Sequence, residues 1–153
     1  MLSGVLVLLG IGVTTSLAAQ QRWEHQVDDR LGRAIAALRT SSRDSSVRRT
    51  GMLNTDEAAS FQTALVQGTS YAIVAVCDDD CSRLSLTLVS PSGSELAKDR
   101  NSESLPTLHF NAPQSITYGV RVVMEGCRWN PCWYGVAVVP LGVASLDAPR
   151  ITP

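Results

Sequence analysis

From Gly51 onward the apolar residues recur at every second position, and that spacing limits what the chain can fold into more than any other feature. "FQTALV" alternates at Phe61, Thr63 and Leu65, and "YAIVAVC" is rich in β-branched residues. "LSLTLV" sets Leu84, Leu86 and Leu88 against Ser85 and Thr87, then stops at the turn residues "SPSG". "TLHF" puts Leu108 and Phe110 on one side, "YGVRVVM" does the same with Tyr118, Val120, Val122 and Met124, and "WYGVAVV" closes the series. A period of two is the period of a strand, and Gly and Pro fall between the runs. Six or more short strands of this kind imply a mainly β fold, an antiparallel β-sandwich of jelly-roll-like form.

Upstream the period changes. Residues 22–39, "RWEHQVDDRLGRAIAALR", are apolar at Trp23, Val27, Leu31, Ala34, Ile35 and Leu38, which fall on one face of an N-terminal amphipathic helix. Glu24, Asp28 and Asp29 early, with Arg33 and Arg39 late, suit the dipole of a helix with those bounds. Its expected task is to dock its stripe on the rest of the protein, or in trans on a second copy. "TSSRDSSVRRTG", Thr40 to Gly51, reads as a polar linker.

The opening "MLSGVLVLLGIGVTTSLAAQ" carries no charge. Its apolar stretch from Val5 to Val13 is short for a bilayer span and is followed by small residues, the order of a secretory signal. Ser16-Leu17-Ala18 places cleavage after Ala18, with Ala19 as the rival, although no Lys or Arg precedes the apolar run. The expected organisation is a signal peptide at 1–18, helix and linker at 19–50, the sandwich at 51–140 and a tail at 141–153. After cleavage no stable membrane insertion is expected, and the compartment is the bacterial periplasm or the exterior.

A net charge of −1 over 153 residues argues against nucleic acid as a partner, because no basic excess exists to neutralise phosphates. The charge is uneven. Residues 19–50 hold seven Arg against four acids, a net of +3, whereas residues 51–153 hold six basic and ten acidic residues, a net of −4. Docking of the helix segment on the larger part is therefore electrostatically assisted.

Export bears on the four cysteines, since an oxidising compartment favours bridges over thiols. Cys77 and Cys81 flank three aspartates, and Cys127 and Cys132 flank "RWNP". Residues four apart on an extended strand lie ~13 Å apart, beyond disulfide reach, so a local bridge demands a tight reversal. Asp78–Asp80 and Asn130-Pro131 are turn formers, and two bridged hairpin turns are expected, with a crossed pairing still open. Gaps of three and four residues fit neither a zinc knuckle nor a C-x-x-C redox pair. Calcium is the sharper reading of "CDDDC": Asp78, Asp79 and Asp80 with Asp99, and Asn101 and Glu103 beside it, offer oxygen ligands. A solvated acidic turn is the default, because consecutive carboxylates cannot all face one ion.

The aromatics Trp129, Trp133 and Tyr134 gather at the second cysteine loop as a candidate surface for stacking on a sugar or anchoring a protein. Trp133 and Tyr134 begin a strand, so at least one is expected in the core and Trp129 is the better candidate for exposure. For catalysis the chain offers His25 and His109, with no G-x-S-x-G, H-E-x-x-H or phosphate-cradling loop. A hydrolase pairing His109 with a serine is the alternative from the enzyme class.

Residues 51–139 carry an ordered set of marks: Gly68 and Tyr71 entering a strand, Cys77-Asp78 through Cys81, and Pro91–Gly93 at a turn. Asp99, Pro106 with Phe110, Tyr118 with Val120 and Val122, and Cys127 with Pro131-Cys132 follow. In this combination the stretch resembles the bacterial pre-peptidase C-terminal domain family and its cysteine-containing periplasmic relatives. The resemblance implies a compact, non-catalytic β-sandwich associated with substrate or surface binding, in some relatives with calcium on acidic loops. The chain departs from that pattern at Arg83, Ser85 and Ser90, where relatives tend to carry acids, which lowers the expectation of metal. The sequence thus points to an exported, non-catalytic sandwich that binds an envelope protein or polysaccharide. A purely structural oligomer subunit is a further alternative.

Overall fold

The structure, a computed structural model, describes residues 14–38, 46–99 and 104–143, with side chains from 22 to 142. Helix α1 (Thr14–Ala37) precedes β1 (Val47–Leu53), β2 (Ala58–Leu65), β3 (Thr69–Cys77) and β4 (Cys81–Val89). Then follow β5 (Glu95–Asp99), β6 (Thr107–Asn111), β7 (Ile116–Cys127) and β8 (Cys132–Val143). The strands form two antiparallel four-stranded sheets, ordered β1-β8-β3-β6 and β2-β7-β4-β5, the strand order of a jelly roll. The chain changes sheet at every connection but one. Among the described strands only β4–β5 is a hairpin, closed at Ser90–Gly93, where the Gly93 N–H donates to the Ser90 carbonyl at 2.9 Å and Gly93 takes φ 85°.

The expected alternation fills the space between the sheets. Leu84, Leu86 and Leu88 face Tyr71, Ile73 and Ala75, and Tyr118, Val120, Val122 and Met124 join them. Phe110 meets Tyr118 edge to face at 5.3 Å. β3 and β8 are buried on both faces, which is why "YAIVAVC" and "GVAVV" read as nearly unbroken apolar runs. Their second face lies under α1, where Val27, Leu31 and Ile35 pack on Val74, Val76, Ala137 and Val139. Each of those three helix residues is buried, worth about 2 kcal/mol apiece. The helix comes close at Gly135, where a Cβ would sit 2.8 Å from Val27 Cγ1.

Several expectations are corrected. The helix begins at Thr14, so its first turn holds no acid and its last turn no base; the dipole argument from Glu24, Asp28, Asp29, Arg33 and Arg39 does not apply. Trp23 lies outside the docked cluster, with the Arg22 guanidinium 5.3 Å over its ring. The stripe is consumed by the chain's own sheet rather than left for a second copy. Residues 47–51 of the expected linker belong to strand β1, paired along its length with β8. Its residues are mostly exposed because it is an edge strand, so no apolar alternation marks it. At the other end β8 runs three residues beyond the expected boundary at 140. The apolar opening, residues 1–13, and the tail from 144 lie outside the described residues; Ser16–Ala18 falls within α1.

Candidate functional site

Both cysteine loops sit at one end of the sandwich and both bridges are local. Cys77–Cys81 and Cys127–Cys132 hold their Cα atoms 5.9 and 5.8 Å apart, and no described cysteine is free. The hairpin turns expected from the sequence are not what the loops form: each carries the chain from one sheet to the other, β3 to β4 and β7 to β8. The bridges therefore staple sheet to sheet. Cys81 and Cys127 are also register partners of β4 and β7, so the two staples stand side by side.

Asp78 locks them together. Only 3% exposed, it accepts the Cys81 N–H at 3.2 Å through Oδ1 and the Trp133 N–H at 2.7 Å through Oδ2. Its own N–H donates to the Trp133 carbonyl at 3.1 Å. Burial raises its carboxyl above the ordinary aspartate value, against the pull of those N–H donors. Asp79 turns the other way, to the helix. It accepts from Gln26 Nε2 at 2.6 Å and ion-pairs with Arg30, whose Nη1 also donates to the Cys77 carbonyl at 2.6 Å. The Gln26 hydrogen bond, then Arg30, hold the Asp79 carboxyl below its ordinary value. The Asp80 carbonyl accepts the Arg128 N–H at 2.7 Å, joining loop to loop.

The β1–β2 turn supports the second loop from below. The Thr55 N–H donates to Asn130 Oδ1 at 2.9 Å, and Thr55 Oγ1 accepts the Cys127 N–H at 3.1 Å. Glu57 accepts the Asn54 N–H at 2.8 Å, which lowers its carboxyl. Thr55, Gln26 and Arg30 carry no mark in the sequence, and Asn130 is marked there only as a turn former. Their partners are some fifty to seventy-five residues away, and no local pattern announces such pairs.

The expected site residues divide. The carboxylates Asp78 and Asp79 diverge to opposite partners, and Asp99 accepts the Thr107 N–H at 2.9 Å. Asp99 pairs with Leu86, five residues from Cys81 and so ~16 Å along β4. Asn101 and Glu103, the other oxygen donors named for calcium, lie outside the described residues, and among the described residues no three His, Cys, Asp or Glu gather as a metal centre. Of the three aromatics, Tyr134 lies in the core between the sheets, where burial raises its hydroxyl, and Trp133 packs at the edge of the helix cluster. They alternate across β8, so no aromatic cluster forms. Trp129 alone is presented to solvent, 72% exposed, with Arg128, Asn130 and Pro131 exposed around it. His25 is exposed on α1 and His109 on the edge strand β6.

Fold and site together define an eight-stranded antiparallel jelly roll, helix-backed and disulfide-stapled at one end. Solved structures with a similar fold include PliG of Aeromonas hydrophila, a periplasmic inhibitor of g-type lysozyme, at 10% identity and TM-score 0.48 over 62% of this chain and 85% of that one. Another is the pre-peptidase C-terminal domain of a Bacillus anthracis collagenase, at 14% identity and TM-score 0.49 over 61% of this chain and 88% of that one. No protein-family model matches the chain. No curated protein matches it either.

Proposed function

We propose that this chain is an exported, non-catalytic jelly-roll module that binds an envelope protein through its stapled end, with Trp129 as the anchor. The observation that carries the reading is the contrast among neighbouring aromatics: Tyr134 is packed away and Trp133 largely covered, while Trp129 stands 72% exposed on a loop pinned by a disulfide, by Thr55 and by Asp80. A rigid loop loses little entropy on binding, and Trp and Arg side by side are the residue types that dominate protein interfaces. A lone aromatic offers a glycan a single stacking face, so a protein is the better fit for this end. Two bridges favour an oxidising compartment. Cleavage after Ala18 leaves the docked stripe from Val27 onward whole, in keeping with export of the helix together with the sandwich.

The test is crosslinked capture from envelope extract on immobilised protein, comparing Trp129→Ala with Val66→Ala, a control at another exposed apolar residue. Trp129→Ala lowers retention of the captured protein at least about ten-fold, the loss typical of an interface anchor, and Val66→Ala leaves it unchanged. Wild-type retention by Trp129→Ala overturns the reading. Capture in chelator equals capture without it, because the Asp78 and Asp79 carboxylates already have partners.

A further inference from the structure

The outer face of the second sheet lies on the side opposite α1, yet two of its hydroxyl residues are nearly closed off from solvent. Ser85 is 1% exposed and Thr87 6%. They alternate with Leu84, Leu86 and Leu88, so they project away from the core, about 7 Å apart along β4. Taller neighbours bury them. Arg121 on β7 and Lys98 on β5 are both register partners of Thr87, and Val123 is the partner of Ser85. Glu125, at the β-bulge opposite Arg83 and Leu84, lines the same depression, whose volume is about 470 Å³. Ser85 Oγ, at its floor, has no hydrogen-bond partner. An orphaned buried hydroxyl carries a desolvation cost that a bound polar group removes.

We propose that this depression binds a sugar acid, a mono- or disaccharide unit of an anionic glycan. A carboxylate over Thr87 lies between two cations. Lys98 is already engaged by Glu95 at 3.8 Å, so the guanidinium of Arg121 supplies the main charge-assisted contact. At the other end, Ser85 Oγ and Glu125 meet ring hydroxyls, which both donate and accept. Val123 gives the apolar edge of the ring a surface. A neutral sugar leaves Arg121 unanswered, and a simple anion leaves Ser85 orphaned; a hydroxylated carboxylate satisfies both. This surface is separate from the stapled end and does not depend on the role given to Trp129.

Isothermal titration of the full chain with both disulfides intact tests the site, using digalacturonate, the neutral digalactoside and acetate. Digalacturonate binds saturably in the millimolar range or tighter, and the neutral disaccharide and acetate bind at least ten-fold more weakly. Arg121→Gln weakens digalacturonate at least ten-fold. Ser85→Ala weakens it several-fold while the unliganded protein melts at the same temperature or higher, since the variant removes an unsatisfied group. No saturable binding of digalacturonate overturns the proposal, as does equal binding of acetate. Arg121→Gln with wild-type affinity also overturns it, and so does Ser85→Ala that is destabilised without loss of affinity.

Discussion

Asp78 is the residue on which the stapled end turns. A carboxylate is costly to bury unless its oxygens are matched, and here two backbone N–H groups from different loops match them. Asp78→Ala leaves the Cys81 and Trp133 amides buried without acceptors and costs about 3 kcal/mol; urea unfolding with the bridges intact measures it. Asp78→Asn keeps one acceptor and costs less. Equal stability of Asp78→Ala and wild type would contradict the role. The sequence showed three adjacent acids and nothing to rank them. Burial separates them: Asp78 faces inward as a brace, Asp79 is spent on the helix, and the Asp80 backbone bonds to Arg128. That ranking depends on contacts across the fold, so no local pattern carried it.

Among the elements, legibility follows burial. The strands of the buried core are visible in the sequence, β2, β4, β6 and β7 by a period of two that water enforces and β3 and β8 as apolar runs buried on both faces. β1 and β5 are not. "VRRTGML" and "ELAKD" lie at sheet edges with mostly exposed or half-buried side chains, and each gives the core little beyond Leu53 and Ala97. The cysteine turns were legible as tight reversals but not as sheet-to-sheet crossings, since a local reversal is common to both. Each bridge closes a short loop worth about 2 kcal/mol, so replacing one pair by Ser lowers stability by about that amount in denaturant. Peptide mapping of the oxidised protein yields Cys77–Cys81 and Cys127–Cys132; a crossed pairing would contradict the topology. The helix dock has a sharper test. Gly135→Ala places a methyl against Val27 and Leu31 and costs about 1–2 kcal/mol, and Val27→Ala in the same chain recovers part of it. Strictly additive losses would show that the helix does not rest on Gly135.

At the scale of the whole molecule, opposed carboxylates shape the response to pH. Asp78 has its folded value raised, so between the ordinary aspartate value of 3.8 and that higher value the native state holds the extra proton. Stability therefore increases as pH falls through this window. Asp79 and Glu57 have lowered folded values; their contribution is complete above the ordinary carboxylate range and is lost as pH falls through those lowered values. Thermal melting across pH is expected to peak on the acid side of neutral. Asp78→Asn flattens the limb above the peak and Asp79→Asn flattens the limb below it. A profile unchanged by both substitutions would remove these two groups from the account.

The jelly roll fixes two loops at one end, the disulfides and Asp78 make them a single rigid surface, and Trp129 is what that surface presents. Hydrogen exchange on the complex with the captured envelope protein tests this most directly. New protection is expected at Asp79–Asp80 and Arg128–Asn130, with the outer face of the second sheet exchanging as in the free protein. Protection confined to that outer face or to the β6 edge, with the stapled end unchanged, would contradict it.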